Sequence, residues 1–280
     1  MRSLSNMNLA TESTVYTLFR ATALWRDSEI AIRHKDKTWN YGELLETVDR
    51  LAYILRDLGL KQGDRLAILS ENRPEYTMLQ LACARIGAIV ACLNWRLANE
   101  ELKHCIDTVT PKAFCVSLRF KAKLAEIVHD NRPTILVDIC LSSAAKSQKD
   151  NGPCCEDPEM GLLLLNTSGT TGWPKSAVIS HRAEIARMTV LRMDLGIERG
   201  DAFLAWAPMF HMGGTEHTLS SLMMGSSVII TDGLDLDAMV EAIKNYQLGW
   251  LILMPATIEP LLQRLKETNS RVHGVRVVGS

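Results

Sequence analysis

Short runs of aliphatic and β-branched residues alternate with longer stretches of helical periodicity, and this alternation restricts the fold more than any other feature of the chain. Residues 65–69, 88–93, 113–116 and 134–137 are largely apolar, each too short for a helix. Between them, residues 74–86 open with Pro74, which suits the first turn of a helix. Asn99 can cap a helix over 100–107, with Glu100 and Glu101 near its positive end. A further helix is expected over 120–128. Buried strands separated by helices imply a mostly parallel sheet covered on both faces. The rhythm resumes at Leu162-Leu163-Leu164-Leu165 and runs through strands at 177–179, 202–206, 227–230, 250–253 and 275–278. Helices at 182–193, 215–224, 236–246 and 256–266 separate them. Ahead of this pattern lie a helix at 14–25 and a hairpin at 30–41 that turns at Lys35-Asp36-Lys37. A helix at 41–58 follows, with Leu44, Val48, Leu51 and Leu55 on its apolar face and Gly59 as its stop. The fold class is therefore α/β, of mostly parallel sheets covered by helices.

Residues 142–159 break the rhythm. They are polar and contain Gly152-Pro153 and Pro158, so residues 142–160 read as a surface linker. That divides the chain into a first α/β lobe, 1–141, and a second, 161–280. The chain carries 31 Lys and Arg against 32 Asp and Glu, a net charge of −1, so it lacks the basic footprint of a nucleic-acid binder. Its seven cysteines are odd in number and include no C-x-x-C pair, which argues for buried thiols in a reducing compartment and against structural zinc. The most apolar stretch, 79–95, contains Arg85 and is too short to span a bilayer. Residues 1–14 are polar and lack the apolar centre of a signal peptide. A soluble, cytoplasmic protein is expected.

Chemistry concentrates in Asn166-Thr167-Ser168-Gly169-Thr170-Thr171-Gly172-Trp173-Pro174-Lys175-Ser176, between two expected strands. The glycines let the backbone turn tightly and expose its N–H groups; the hydroxyls add donors and Lys175 adds a positive charge. Together these make a cradle for a polyphosphate. A plain polar hairpin would account for the glycines and hydroxyls but not for the lysine. A Walker A loop requires G-x-x-x-x-G-K-[ST] and a helix beginning at the lysine. Here Pro174 stands where the second glycine should be, and Ala177-Val178-Ile179 reads as strand, so the P-loop NTPase class fails.

The run T-S-G-T-T-G-W-P-K closely resembles the signature of the adenylate-forming (AMP-binding) superfamily, which includes acyl-CoA synthetases, aryl-CoA ligases, peptide-synthetase adenylation domains and luciferases. Gly63-Asp64-Arg65-Leu66-Ala67-Ile68-Leu69 with Asn72-Arg73-Pro74-Glu75-Tyr76, then Leu93-Asn94-Trp95-Arg96-Leu97, then Ala207-Pro208-Met209-Phe210-His211-Met212-Gly213-Gly214 resemble further family segments, in the family's order. The resemblance implies a layered fold like the front part of the family's large N-terminal domain. It also implies a two-step reaction: a carboxylic acid and ATP give an acyl-adenylate and pyrophosphate, and a thiol then displaces AMP. ATP, Mg2+ and coenzyme A are the implied cofactors, and a fatty or aromatic acid is the implied substrate. By the same resemblance Thr167, Ser168, Gly169, Thr170, Thr171, Gly172 and Lys175 hold the ATP phosphates. The resemblance also places His211 at the wall between the acid pocket and the nucleotide, and His211, Met212 and Gly213 in the substrate pocket. Ser176 departs from the family's usual glycine after the lysine. Met209, Met212, Met223 and Met224 fit an adaptable acid pocket or ordinary core packing equally well. His181 matches a family position and reads as structural. Glu216 and His217 form no metal motif, and no metal ligand is assigned.

The sequence stops at Val275-Arg276-Val277-Val278-Gly279-Ser280. The family's Y-G-x-T-E segment with its magnesium glutamate, its ribose-binding aspartate and its small C-terminal domain with a catalytic lysine are not in it. The expectation is the N-terminal part of an acyl-CoA synthetase, with no catalytic residue assigned and little or no turnover alone. An exposed strand edge and a bare apolar face are expected near the end of the sequence. Two alternatives stay open: an inactive ATP- or polyphosphate-binding protein, and a half-domain completed by another chain. A homo-oligomer is neither implied nor excluded, and neither the acid nor the thiol acceptor is specified.

Overall fold

The computed structural model describes residues 12–167, 172–268 and 272–279. Helix α1 (Val15–Trp25) starts at Thr14, whose hydroxyl accepts the Thr17 N–H. Strands β1 (Ile30–His34) and β2 (Lys37–Asn40) form the expected hairpin, with Lys35 at φ +53° in its turn. Asn40 caps α2 (Tyr41–Asp57): its side chain accepts from Glu43 N–H at 2.7 Å, and the Glu43 carboxylate accepts from Asn40 N–H at 2.9 Å. There follow β3 (Arg65–Leu69), α3 (Pro74–Ile86), β4 (Ile89–Cys92), α4 (Asn99–Val109), β5 (Ala113–Val116), α5 (Lys121–Ile127), β6 (Thr134–Leu136) and α6 (Cys140–Lys146). Then come β7 (Gly161–Thr167), β8 (Lys175–Ser180), α7 (His181–Asp194), β9 (Ala202–Ala205), α8 (Met212–Met224) and β10 (Val228–Ile230). The last elements are α9 (Leu236–Asn245), β11 (Gln247–Ile252), α10 (Pro255–Glu267) and β12 (Gly274–Gly279).

Two six-stranded sheets carry the architecture, ordered β6-β5-β3-β4-β7-β8 and β12-β11-β9-β10-β1-β2. Each is parallel except for one antiparallel edge pair, β7–β8 in the first and β1–β2 in the second. The inner faces of both sheets (Leu66, Ile68 and Val90 on one side, Phe203, Val228 and Ile230 on the other) share one core with α1, α2, α3 and α8. The outer face of the first sheet packs on α4 and α5, and that of the second on α9 and α10. The result is five layers, helix–sheet–helix–sheet–helix, with α3 buried on every side and therefore without a polar stripe.

The chain division at 142–160 does not divide the sheets. β1 precedes that segment yet pairs with β10, with β2 at its outer edge, and β7 and β8 follow it yet complete the first sheet beside β4. Strand pairing joins neighbours in space, so two lobes read along the sequence interleave in the fold. Nor is 142–160 a surface linker throughout. Its start belongs to α6, and the buried Asp150 carboxylate lies 3.1 Å from both Arg85 and Arg56, which anchors the segment to α3 and α2. The polar composition that signalled a linker serves this internal ion pairing.

β12 lies at a sheet edge, with Val278 56 % exposed. Six of the seven cysteines are buried and Cys154 half-buried, all as free thiols. Among the described residues no helix is long and apolar enough to cross a membrane.

Candidate functional site

In an open parallel sheet, loops leaving the carboxyl ends of the strands are the usual place for a ligand. The loop after β7 is one of these. The β7–β8 hairpin pairs Thr167 with Lys175 and Asn166 with Ser176, and so closes the base of the 168–174 segment. Ser176 Oγ donates to Asn166 Oδ1 at 2.8 Å, and Thr167 Oγ1 donates to the Lys175 carbonyl at 3.3 Å. The serine in place of the family's glycine thus braces the hairpin. Gly172 sits at φ +92°, a conformation that favours glycine, with open space around it. Lys175 is exposed and forms no ion pair among the described residues, so its charge is free for an anion. Ser168, Gly169, Thr170 and Thr171 lie outside the described residues.

Loops from the other strand ends meet nearby. Asn72, just beyond β3, reaches the segment beyond β9: its amide donates to the Ala207 carbonyl and its oxygen accepts the Met209 N–H, both at 2.8 Å. Trp95, beyond β4, stacks on Phe120 at 5.2 Å and meets Phe210 edge-on at 5.9 Å. The Arg96 guanidinium lies over Trp95 and Phe210, 5.0 and 5.9 Å from the ring centres. The P-M-F-H segment, which follows β9 of the second sheet, is therefore held by loops of the first.

His211 is the N-cap of α8: its exposed ring accepts the Gly213 N–H at 3.3 Å through Nδ1. Met212 is half-buried, with its sulfur 3.7 Å from Arg187 Nη1. A Cβ on Gly213 would touch Ile252 at 3.3 Å, whereas one on Gly214 would lie 2.5 Å from the carbonyl oxygens of Ala207 and Pro208. Gly214 rather than Gly213 is the position where the first turn of α8 leaves no room. The four methionines do not line one pocket. Met209 and Met223 belong to the central core, Met212 packs against it, and Met224 is exposed at the helix end. His211 and Lys175 are not hydrogen-bonded to each other.

Sequence reasoning missed a buried carboxyl pair between α7 and α8. Glu184 is fully buried and neither of its carboxylate oxygens has a hydrogen-bond partner among the described residues; Glu216 lies 3.2 Å from Arg187. Burial raises the pKa of both, and the charge of Glu216 raises that of Glu184 further while Arg187 opposes it. No spacing pattern marks either residue. His181 accepts the Val15 N–H at 3.2 Å through Nδ1, tying α7 to α1. His217 stacks on Trp250 at 5.5 Å and lies 5.3 Å from the Phe203 ring. Burial lowers both histidines to about 4, so both are neutral at pH 7. Among the described residues no group of three or more His, Cys, Asp or Glu could hold a metal ion.

A five-layered α/β body in which a strand, β8, and not a helix begins at Lys175 differs from a P-loop NTPase. The chain belongs to the AMP-binding enzyme family, whose model matches residues 18–280. It is 31% identical over 265 residues to an indoleacetate–CoA ligase of Aromatoleum aromaticum, covering 89% of this chain and 51% of that protein. It is 29% identical over 287 residues to a medium/long-chain-fatty-acid–[acyl-carrier-protein] ligase of Mycobacterium tuberculosis, covering 95% of this chain and 52% of that protein. The chain thus spans about half the length of the curated relatives it matches. Among solved structures, the N-terminal domain of FACL13 from Mycobacterium tuberculosis superimposes with a TM-score of 0.84 at 21% identity, over 93% of this chain and 68% of that one.

Proposed function

We propose that this chain supplies the ATP-phosphate and acid-binding part of an ATP-dependent acid–thiol ligase. In that reaction a carboxylate oxygen bonds to the α-phosphorus of ATP as the bond to pyrophosphate breaks, and a thiol sulfur then attacks the acyl carbon and releases AMP. The work at phosphorus is positioning and charge neutralisation. Lys175 neutralises the terminal phosphates, and Thr167, Ser168, Thr170 and Thr171 with the backbone at Gly169 and Gly172 supply donors. His211, Met212 and Gly213 form the wall on the acid side. The names of the relatives support a fatty or aromatic acid, with coenzyme A as the expected thiol. Mg2+ accompanies the triphosphate in this reading, but the described residues hold no cluster that fits it, and none is assigned to it. Seven free thiols support a reducing, cytoplasmic setting.

The observation that carries the proposal is an exposed lysine, without an ion pair among the described residues, at the closed base of the β7–β8 loop and inside the family match. Thermal unfolding with ATP, AMP and non-hydrolysable acyl-adenylate analogues tests it, since a ligand that binds only the folded state raises the midpoint. A fatty or aryl analogue should raise it more than AMP, and Lys175→Ala should reduce the ATP effect more than any effect of the free acid. Absence of a shift with every nucleotide would contradict the proposal. Pyrophosphate release across a panel of acids separates a ligase from a protein that only binds.

A further inference from the structure

The ring centroids of His104 and Trp173 lie 5.0 Å apart, tilted by 42°. His104 stands on α4, which packs against β8 from the outer layer; Trp173 belongs to the descending arm of the β7–β8 loop. Trp173 is 49 % exposed, so burial alone does not hold its indole. Its backbone is restricted from both sides. Gly172 reverses the chain at φ +92°, and Pro174 fixes its own φ and drives the residue before it towards extended conformations. Lys175 follows at once, in register with Thr167. The indole can therefore set the path by which the loop enters β8, and among the described residues the ring it meets is that of His104.

We propose that His104 and Trp173 are positioning residues: their ring contact docks the descending arm of the loop on α4 and holds Lys175 where the triphosphate needs it. Neither ring touches the phosphates in this scheme. The proposal rests on the reading of the loop as an ATP-phosphate site. An arm already held before binding loses less freedom when the nucleotide arrives, which shows as affinity.

Calorimetric titration of the chain with ATP tests this in four variants. His104→Ala should weaken ATP binding by about three- to tenfold, the range a single aromatic pair supports. Trp173→Ala should do the same, while His104→Phe, which keeps a ring against the indole, should bind close to the unmodified chain. Thermal midpoints without nucleotide should stay within about 2 °C, because both side chains are partly exposed. Should His104→Ala bind ATP normally while Lys175→Ala binds it weakly, the docking role is wrong and the phosphate site stands. Equal losses in His104→Ala and His104→Phe would also overturn a role for the ring contact. Normal binding by Lys175→Ala, or no ATP binding at all, would overturn the phosphate reading and the docking with it.

Discussion

The side-chain oxygen of Asn72 accepts the backbone N–H of Met209 at 2.8 Å, and this bond joins the carboxyl ends of the two sheets. Asn72 follows β3 and Met209 follows β9, so one buried amide holds the loop of one sheet against that of the other. The segment it secures leads directly into His211 and the first turn of α8.

Asn72→Ala should lower stability by about 2–4 kcal/mol, because it strands a buried N–H and a buried carbonyl without partners. Urea unfolding measures the loss. A change under about 0.5 kcal/mol would mean that water replaces the amide.

Gly214 and Gly172 should respond differently to alanine. At Gly214 the new Cβ would lie 2.5 Å from two backbone carbonyl oxygens, so the first turn of α8 must shift and His211 with it. A loss of about 2 kcal/mol or more is expected there. Gly172 has open space and only its positive φ to resist, so about 1 kcal/mol is expected. Equal losses at the two positions would contradict the close approach at Gly214.

Asp150→Ala removes the buried carboxylate facing Arg85 and Arg56, and should cost about 3–5 kcal/mol because Arg85 stays buried without that partner. Arg85→Met combined with Asp150→Ala should recover part of that loss. The two single variants and the double form a cycle whose coupling should exceed about 1 kcal/mol.

Two buried groups predict opposite pH effects. His181 titrates near 4 in the fold against 6.5 when free, so the unfolded chain takes up its proton first and stability falls as pH drops from about 6.5 to about 4. His181→Gln keeps an acceptor for the Val15 N–H and should flatten that slope. Glu184 is raised well above 4.5 in the fold, so its contribution is complete below 4.5 and is lost as pH rises from there towards its folded value. Glu184→Gln should therefore stabilise the protein at pH 7 to 8 relative to pH 4. Thermal midpoints of both variants across this range would expose a wrong sign in either.

Much of the element pattern was legible because periodicity is local. Leu44, Val48, Leu51 and Leu55 mark the buried face of α2 as four positions of one helix. The four leucines from Leu162 lie in β7 because a strand flanked on both sides must be apolar throughout. The partition of strands between sheets was not legible, since Ile32 meets Val228 across nearly two hundred residues. Residues 142–160 misled because a chain that is polar for solvent and one that is polar to meet Arg85 have the same composition.

By itself the sequence determined the α/β rhythm, the lysine-bearing loop between two strands and the family segments around it, all of which depend on neighbouring residues. Tertiary structure alone decided that Asn72 fastens the two sheets, that Asp150 faces inward and that the Glu184 carboxyl is buried between α7 and α8. Those outcomes depend on which distant backbone or charge comes to lie beside each side chain, and no local pattern encodes that.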